Sequence, residues 1–337
     1  MLTSRELARR LGVSQSTISR ALNDSPLVPL KKRQFIKDKA AEYGFVLNSQ
    51  AQSLKTNRTG TIGILMAAHF TGMNINLTLA HLYDCIQREL FHYGYDVMVL
   101  YDFGDGDGLP VLVKAIRKQK VDGCIILRSN LTALEKEVIA EYKIPYIYLL
   151  HAFITDASSN YCLADSEYGG YLAGKYLGRF LDYKMVCIDN PDVSTESRTR
   201  IAGFCRGLRE EGYDADSVEI YQCKLSAQSV YECIAQKRKD LMREKTAIFA
   251  HNDLMAIGVV NACKDIGLQI PEHIQVIGMD NTPIDFWMTP KLTTVDIKSE
   301  EIASIGCELL CNSIENFSDS ALQKTIKPEL ILRETTL

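Results

Sequence analysis

Near the start of the chain, the side chains whose types and spacing suggest chemistry are Gln15, Ser16 and Arg20. Arginine can bond guanine O6 and N7 bidentately, and glutamine can do the same to adenine N6 and N7. Ser16 and Arg20 are one helical turn apart, so on a helix they share a face. Thr3, Ser14, Ser19 and Asn23 offer hydroxyl, amide or helix-end contacts to phosphate, which position a protein without specifying sequence. This is the chemistry of duplex DNA recognition. No covalent chemistry competes with it. His251-Asn252-Asp253 looks like a catalytic fragment, yet no Ser or Cys sits in a Gly-x-Ser-x-Gly elbow to use it. Neither a Walker motif nor a dinucleotide fingerprint occurs. Asp102-Phe-Gly-Asp-Gly-Asp-Gly108 superficially resembles a calcium loop. In EF-hand register its first ligand is Phe103 and its twelfth position Lys114, so a glycine-rich acidic loop is the better reading. The ten cysteines are scattered singly, without a Cys-x-x-Cys pair or a Cys/His cluster. They read as reduced thiols of a cytoplasmic protein, with Cys307 and Cys311 lining the buried face of a helix. No metal and no cofactor are expected, and no enzyme activity.

The elements that must carry these residues are legible. Thr3-Ser-Arg-Glu6 is a capping-box pattern. Leu7, Ala8 and Leu11 then fall on one face, and Gly12 ends the helix. Ser14 caps a second helix, Gln15 to about Leu22, with Ile18, Ala21 and Leu22 inward. The short Gly12-Val13-Ser14 turn between them is the geometry of a helix-turn-helix. A third helix, Leu30 to Tyr43, buries Ile36, Ala40 and Tyr43 and leaves Lys31, Lys32, Arg33, Lys37 and Lys39 to solvent or phosphate. The second helix would enter the major groove with its N-terminal residues nearest the bases. A small three-helix bundle with a solvated basic face is the plainer alternative.

Charge favours the first reading. The chain has 337 residues and a net charge of −4. Residues 1–58 hold 11 basic and 4 acidic side chains, a net of +7, which leaves −11 on the remainder. A basic head on an acidic body suggests that the head meets a polyanion and the body does not. The length implies about two domains, or one with appendages. No apolar run approaches the roughly 18 residues of a membrane span, and the N-terminus shows no secretory h-region.

The stretch Leu-Ala-Arg-Arg-Leu-Gly-Val-Ser-Gln-Ser-Thr-Ile-Ser-Arg-Ala-Leu-Asn, residues 7–23, resembles the DNA-reading segment of the lac repressor/galactose repressor family. By that resemblance the family's variable base-reading pair falls on Gln15 and Ser16, and its recurrent arginine on Arg20. Asn48-Ser-Gln-Ala-Gln-Ser-Leu54-Lys55 is similar to the family's hinge helix, which orders only on operator DNA. Asn48, Ala51, Leu54 and Lys55 are its implied DNA contacts, with Leu54 the apolar wedge in the minor groove. Leu47 stands where the family often has proline. A polar linker is the plain reading of the same stretch, since so short a helix is costly to nucleate alone.

From Gly60 onward, strands alternate with helical stretches of about 14 residues. Apolar runs at 62–67, 95–100, 121–127 and 145–149 form one series. Runs at 161–164, 184–188, 218–221, 247–250 and 275–279 form a second. Alternation of this kind implies parallel sheets covered on both faces, with ligands at strand C-terminal ends. The resemblance continues through residues 120–127, 165–174, 200–204, 252–258, 277–280 and 290–294, essentially to the end of the chain. It implies a periplasmic-binding-protein-like α/β body of two doubly wound parallel-sheet lobes, crossed three times by the chain, behind a small all-α helix-turn-helix head. The expected boundaries are 1–46 for the head, 47–59 for hinge and linker, and 60–337 for the body. Within the body one lobe takes about 60–158 and 296–322, and the other about 159–295 and 323–337.

The family's effector-binding motifs match Arg200, Asn252 and Asp280. A guanidinium and a carboxylate each make two parallel bonds, which suits vicinal hydroxyls. Structurally, Asn252 could instead cap the following helix and Asp280 fix a turn. Arg198, His69, Arg128 and His151 follow strand ends or neighbour these positions, and the two histidines read equally well as surface or rim residues. Met73-Asn-Ile-Asn-Leu77 stands where many members have Asn-Pro-Phe-Phe, and Lys224-Leu225 where others often place a ring-stacking aromatic. Trp287 and Phe286 are candidates for an apolar wall, or for an interlobe core. The resemblance thus implies a cytoplasmic transcriptional regulator, a repressor that binds a pseudo-palindromic operator as a homodimer. The chain ends without the heptad tail of tetrameric relatives. Its small effector is expected to be a sugar or glycoside, or alternatively a nucleobase, nucleoside or other polar metabolite. A solute-binding protein or an enzyme on the same scaffold is the outside reading.

Overall fold

Helix formation at the N-terminus is set by Thr3. Its Oγ1 accepts a hydrogen bond from the backbone N–H of Glu6 at 3.2 Å, and its own N–H donates to the Glu6 carboxylate at 2.9 Å. That reciprocal box opens α1 (Ser4–Arg10). Gly12, at φ +64°, turns the chain where a side chain would be strained. Ser14 Oγ accepts from the Thr17 N–H at 3.1 Å and starts α2 (Gln15–Leu22). Pro29 precedes α3 (Leu30–Glu42). Leu7, Ile18 and Ile36, all fully buried, meet in the head core, with Ala8, Ala21, Val28 and Ala40 filling between them. Each large apolar side chain buried there is worth roughly 1.5–3 kcal/mol. Tyr43 departs from the expectation. It stands just past the end of α3, where the helical period no longer holds, and is 37% exposed, with the Arg10 guanidinium 5.3 Å from its ring centre.

The computed structural model describes residues 2–22, 25–45, 58–66, 77–101, 108–128, 130–150, 159–190, 194–316 and 321–337. The expectations for Asn23, Asn48, Ala51, Leu54, Lys55, His69 and His151 lie outside these residues. The chain divides into two units, Met1–Gly60 and Thr61–Leu337.

The second unit begins with β1 (Thr61–Met66), α4 (Leu77–His92), β2 (Asp96–Tyr101), α5 (Val111–Arg117), β3 (Gly123–Leu127), α6 (Ala133–Tyr142), β4 (Tyr146–Leu150) and β5 (Tyr161–Ala164). It continues with α7 (Ser166–Leu177), β6 (Lys184–Asp189), α8 (Ser194–Glu210), β7 (Glu219–Gln222), α9 (Ala227–Gln236), α10 (Arg238–Leu241), β8 (Thr246–Ala250), α11 (Asp253–Ile266) and β9 (Ile274–Met279). β10 (Thr293–Asp296), α12 (Ser299–Glu315), β11 (Gln323–Ile326) and β12 (Glu329–Ile331) complete it. The helices between the early strands are less uniform than expected: α4 has 16 residues, α5 7 and α6 10.

Two six-stranded sheets result, in the orders β11-β5-β4-β3-β1-β2 and β12-β10-β9-β8-β6-β7. The first is parallel throughout, and in the second only the β10–β12 pair is antiparallel. Parallel strands covered on both faces are buried along their whole length, as Gly123–Leu127 and Ile274–Met279 are, the second with the polar Gln275 buried among its apolar residues. Two strand assignments need correction. β5 pairs with β4 through Tyr148 and Tyr161, and β11 pairs with β5, so residues 161–164 and 323–326 belong to the first sheet and not to the second lobe. Apolar periodicity reveals a strand but not its neighbours. The chain passes from the first sheet to the second after β5, returns after β10, and passes across again between β11 and β12, three crossings as expected.

Helices α7 and α8 lie backbone to backbone. A Cβ on Gly170 would stand 1.9 Å from the carbonyl oxygen of Arg200, and one on Gly203 1.9 Å from that of Glu167. Only glycine permits this approach, and it fixes the height at which Arg200 leaves α8.

Candidate functional site

In the head, α2 separates its two faces cleanly. Ile18 and Ala21 are buried, while Gln15, Ser16 and Arg20 are exposed together on the opposite side. Ser14, besides capping the helix, lies 2.8 Å from Ser16 Oγ, which orients that hydroxyl at the helix start. Ser19 is half-buried. Thr3 is spent on its capping box, so its first role is to build α1. The exposed N-terminal residues of α2 present amide and hydroxyl groups of the kind that bond bases or phosphate.

In the body, Arg200 is the centre of a buried polar cluster. Its side chain is only 3% exposed. One guanidinium nitrogen donates to the His251 carbonyl, and the other to the Glu196 carboxylate one turn earlier on α8. The Asp280 carboxylate lies 4.0 Å from that second nitrogen. Asp280 follows β9 and is held at φ +130°, a conformation uncommon outside glycine, by its N–H bond to the Val295 carbonyl at 2.9 Å. Its other carboxylate oxygen accepts from the Thr78 hydroxyl on α4. A carboxylate of one lobe thus holds a hydroxyl of the other. Thr78 and Glu196 are absent from the expected residues. Glu196 had a visible signal in its i,i+4 spacing to Arg200; Thr78 had none, because the pairing joins residues far apart in sequence.

Asn252 does what its structural alternative proposed. Its Oδ1 accepts from the Met255 N–H at 3.0 Å and caps α11. Next to it, Asp253 is fully buried and accepts from the Thr294 hydroxyl at 2.5 Å and the Thr282 N–H at 3.1 Å. Burial pushes its carboxyl well above the ordinary range, and the neighbouring Asp285 carboxyl raises it further. Burial raises Asp285 as well. These two acids, with Thr282 and Thr294, tie the Asp280–Asp285 turn to α11 and β10. Arg333 donates to Asn281 Oδ1 at 2.6 Å and secures the same turn from the C-terminal segment.

A polar recess of about 380 Å³ lies against Asp280 and Asn281, lined also by His81, Asp296, Lys298, Ser299, Glu300 and Glu301. Its size suits a small ligand. Arg200 and Asn252 are not in its lining, so of the three leading residues only Asp280 reaches it directly. The remaining positions scatter. Arg128 donates to the buried Glu135 carboxylate and, at 2.7 Å, to the Asn130 carbonyl, where it braces the start of α6. Arg198 is exposed. Trp287 is 80% exposed, which excludes the interlobe-core alternative, and it meets Phe286 edge to face at 5.5 Å. All ten cysteines are free, and Cys307 and Cys311 are buried on α12 as expected. The expectation of no Cys/His cluster fails at one place: His81 and Cys85, one turn apart on α4, converge with Glu300. Among the described residues, no helix is long and apolar enough to cross a membrane.

Residues 181–336 match the model of a periplasmic binding protein-like domain. The HTH-type transcriptional repressor PurR of Vibrio vulnificus is 27% identical over 336 residues, spanning 99% of this chain and 98% of that protein. The lac repressor dimer bound to operator and an anti-inducer superposes with a TM-score of 0.79 at 23% identity, over 99% of both chains. A LacI family transcriptional regulator from Enterococcus faecalis, with bound ribose, is 26% identical with a TM-score of 0.68, over 82% of this chain and 98% of that one.

Proposed function

We propose that this chain, similar over nearly its whole length to a PurR-type transcriptional repressor and sharing the fold of the lac repressor, is a sequence-specific DNA-binding repressor of the lac repressor/galactose repressor family controlled by a small effector. The observation that carries the reading is the exposed face of α2. Gln15, Ser16 and Arg20 stand clear of the buried side of a capped helix-turn-helix, where they can reach base edges in the major groove. Thr3, Ser14, Ser19 and Asn23 contribute to phosphate positioning, and the hinge residues Asn48, Ala51, Leu54 and Lys55 add further DNA contacts, with Leu54 as the apolar wedge in the minor groove. Two copies acting as a homodimer would place two heads on a pseudo-palindromic operator, as two-fold symmetry requires.

The effector binds between the lobes, with the Asp280 carboxylate as its main polar anchor and Arg200 holding that carboxylate in place. Supporting this is the Thr78–Asp280 bond, which links the lobes at the edge of the recess. A ligand competing for Asp280 changes that link and so shifts lobe closure, the two-state element that would bias the head–hinge segment toward or away from DNA. A sugar or glycoside is the leading effector class, since a carboxylate beside a polar recess suits vicinal hydroxyls. The likeness to PurR-type repressors favours a nucleobase as the second reading.

Thermal unfolding of the chain in the presence of pentoses, hexoses, disaccharides, nucleobases and nucleosides separates these classes. One class should raise the midpoint in proportion to the logarithm of its concentration. That same ligand should change operator affinity in a gel-shift titration. A ligand that stabilises the protein but leaves DNA affinity unmoved would sink the regulatory reading.

A further inference from the structure

Two helices of the first lobe bring three metal-ligating side chains to one point. His81 and Cys85 are four residues apart on α4, so both leave the same face one turn from each other. Glu300 comes from the first turn of α12, which packs against α4. The ligand atoms of all three lie within 4.8 Å of one another, and Cys85 Sγ is 3.9 Å from His81 Nε2. Zinc bonds of about 2.0–2.3 Å at tetrahedral angles require ligand separations of about 3.4–3.6 Å. Closing the gap takes a rotamer adjustment of Glu300, whose side chain is 76% exposed and free to make it.

The surroundings are those of a place that wants positive charge. Arg88 Nη2 lies 3.4 Å from Cys85 Sγ and 4.0 Å from Glu300, where its guanidinium stands in for a cation between thiol and carboxylate. It has another partner to retreat to, Asp84, whose carboxylate is 3.3 Å from its Nε. The adjoining recess presents Asp280, Asp296, Glu300 and Glu301 against a single lysine. That lysine, Lys298, is already engaged by Glu329 at 2.5 Å and Asp296 at 3.4 Å. Ser299 Oγ, in a residue 4% exposed, lines the same recess and has no hydrogen-bond partner among the described residues.

We propose that His81, Cys85 and Glu300 form a three-ligand site for a divalent cation of the zinc class, with the fourth position open to the recess. Nitrogen, sulfur and oxygen donors together suit zinc or cobalt and not magnesium or calcium, which take oxygen alone. The three-plus-one arrangement leaves a position for water or another small donor. Glu300 begins the helix that follows the second crossing between the lobes, so a bound cation pins that turn to α4 beside Asp280. Metal would then bind at the wall of the same recess that holds Asp280, and its binding by these three side chains does not depend on the effector reading.

The test is a titration of chelator-stripped full chain with Zn²⁺ against a chromophoric competitor, and with Co²⁺ followed by absorption. One metal per chain is expected, with a thiolate-to-cobalt charge-transfer band and the intense visible bands of tetrahedral coordination. Cys85→Ser should abolish the thiolate band, and His81→Gln should weaken binding at least about tenfold. Arg88→Gln, which removes the competing cation, should tighten it. Circular dichroism confirms that each variant is folded, and if Cys85→Ser fails that check, His81→Gln and Arg88→Gln decide. Substoichiometric uptake, a cobalt spectrum unchanged by Cys85→Ser, or affinity unmoved by both other variants would overturn the proposal.

Discussion

Arg200→Met isolates what the buried guanidinium contributes. Methionine keeps much of the apolar stem, so the packing of α8 against α7 survives while the charge and its donors go. Three groups lose their partner. The His251 carbonyl loses a donor, the Glu196 carboxylate loses its pairing, and Asp280 is left 4% exposed with its nearby cation removed. An unsatisfied buried carbonyl alone costs about 1–3 kcal/mol. Breaking a buried ion pair from one side costs about 3–5 kcal/mol, because the surviving charge remains buried. These penalties share atoms and do not add, so about 3–5 kcal/mol is the expected loss. At about 2–4 °C per kcal/mol for a domain of this size, the melting midpoint should fall by about 6–20 °C. Adding Asp280→Asn to the same chain removes one stranded charge and should recover part of the loss, a coupling that a double-mutant cycle reads directly. Thermal unfolding followed by circular dichroism supplies all the values. A midpoint within about 2 °C of the parent, or strictly additive losses in the double variant, would refute the claim that Arg200 organises the cluster.

The other predictions concern recognition, packing and protons. Arg20→Ala should weaken operator binding by about 1–3 kcal/mol, roughly 5- to 150-fold, while effector binding stays unchanged; equal discrimination between operator and random DNA by parent and variant would remove Arg20 from base reading. Gly170→Ala places a methyl 1.9 Å from the Arg200 carbonyl oxygen, so urea unfolding should show a loss of about 1–3 kcal/mol or more. Asp253 and Asp285 both hold raised carboxyl pKa values, so the folded state binds more protons than the unfolded chain above the ordinary carboxylate range. Their contribution is therefore complete below that range and is lost as pH rises through the raised values. Asp285→Asn should flatten this decline and stabilise the protein at neutral pH, and an unaltered pH profile of urea unfolding would contradict the pairing.

The sequence was most transparent where function and local structure coincide. Thr3, Glu6, Gly12 and Ser14 act within a few residues of themselves, so caps and turn predict α1 and α2 and, with them, the exposure of Gln15, Ser16 and Arg20. The strands of the body announce themselves as apolar runs, but their order in space depends on pairings between distant residues. That is why residues 161–164 and 323–326 read as parts of the second lobe but pair in the first sheet. Tyr43 shows the smaller failure, a period carried one residue beyond the helix that justified it. At the candidate site, Asp280 is legible as a charged residue at a strand end, and Arg200, inside α8, only as a match to the family's effector-binding motif. Their partners are not: the Thr78 hydroxyl comes from the other lobe, and Asp285 reaches Asp253 only because the chain folds back over α11. Arg128 drew attention by position, yet the buried Glu135 claims its guanidinium. His81 and Cys85 did carry a local signal, the i,i+4 spacing, but Glu300 completes the cluster from more than two hundred residues away.

The measurement closest to the central claim is selection of binding sites by the full chain from a pool of random duplex DNA, sequenced and then footprinted. The account predicts an enriched pseudo-palindrome protected at two half-sites, with the enrichment lost in Arg20→Ala. Binding without sequence preference, or an enriched site unaffected by Arg20→Ala and by exchange of Gln15 and Ser16, would contradict it.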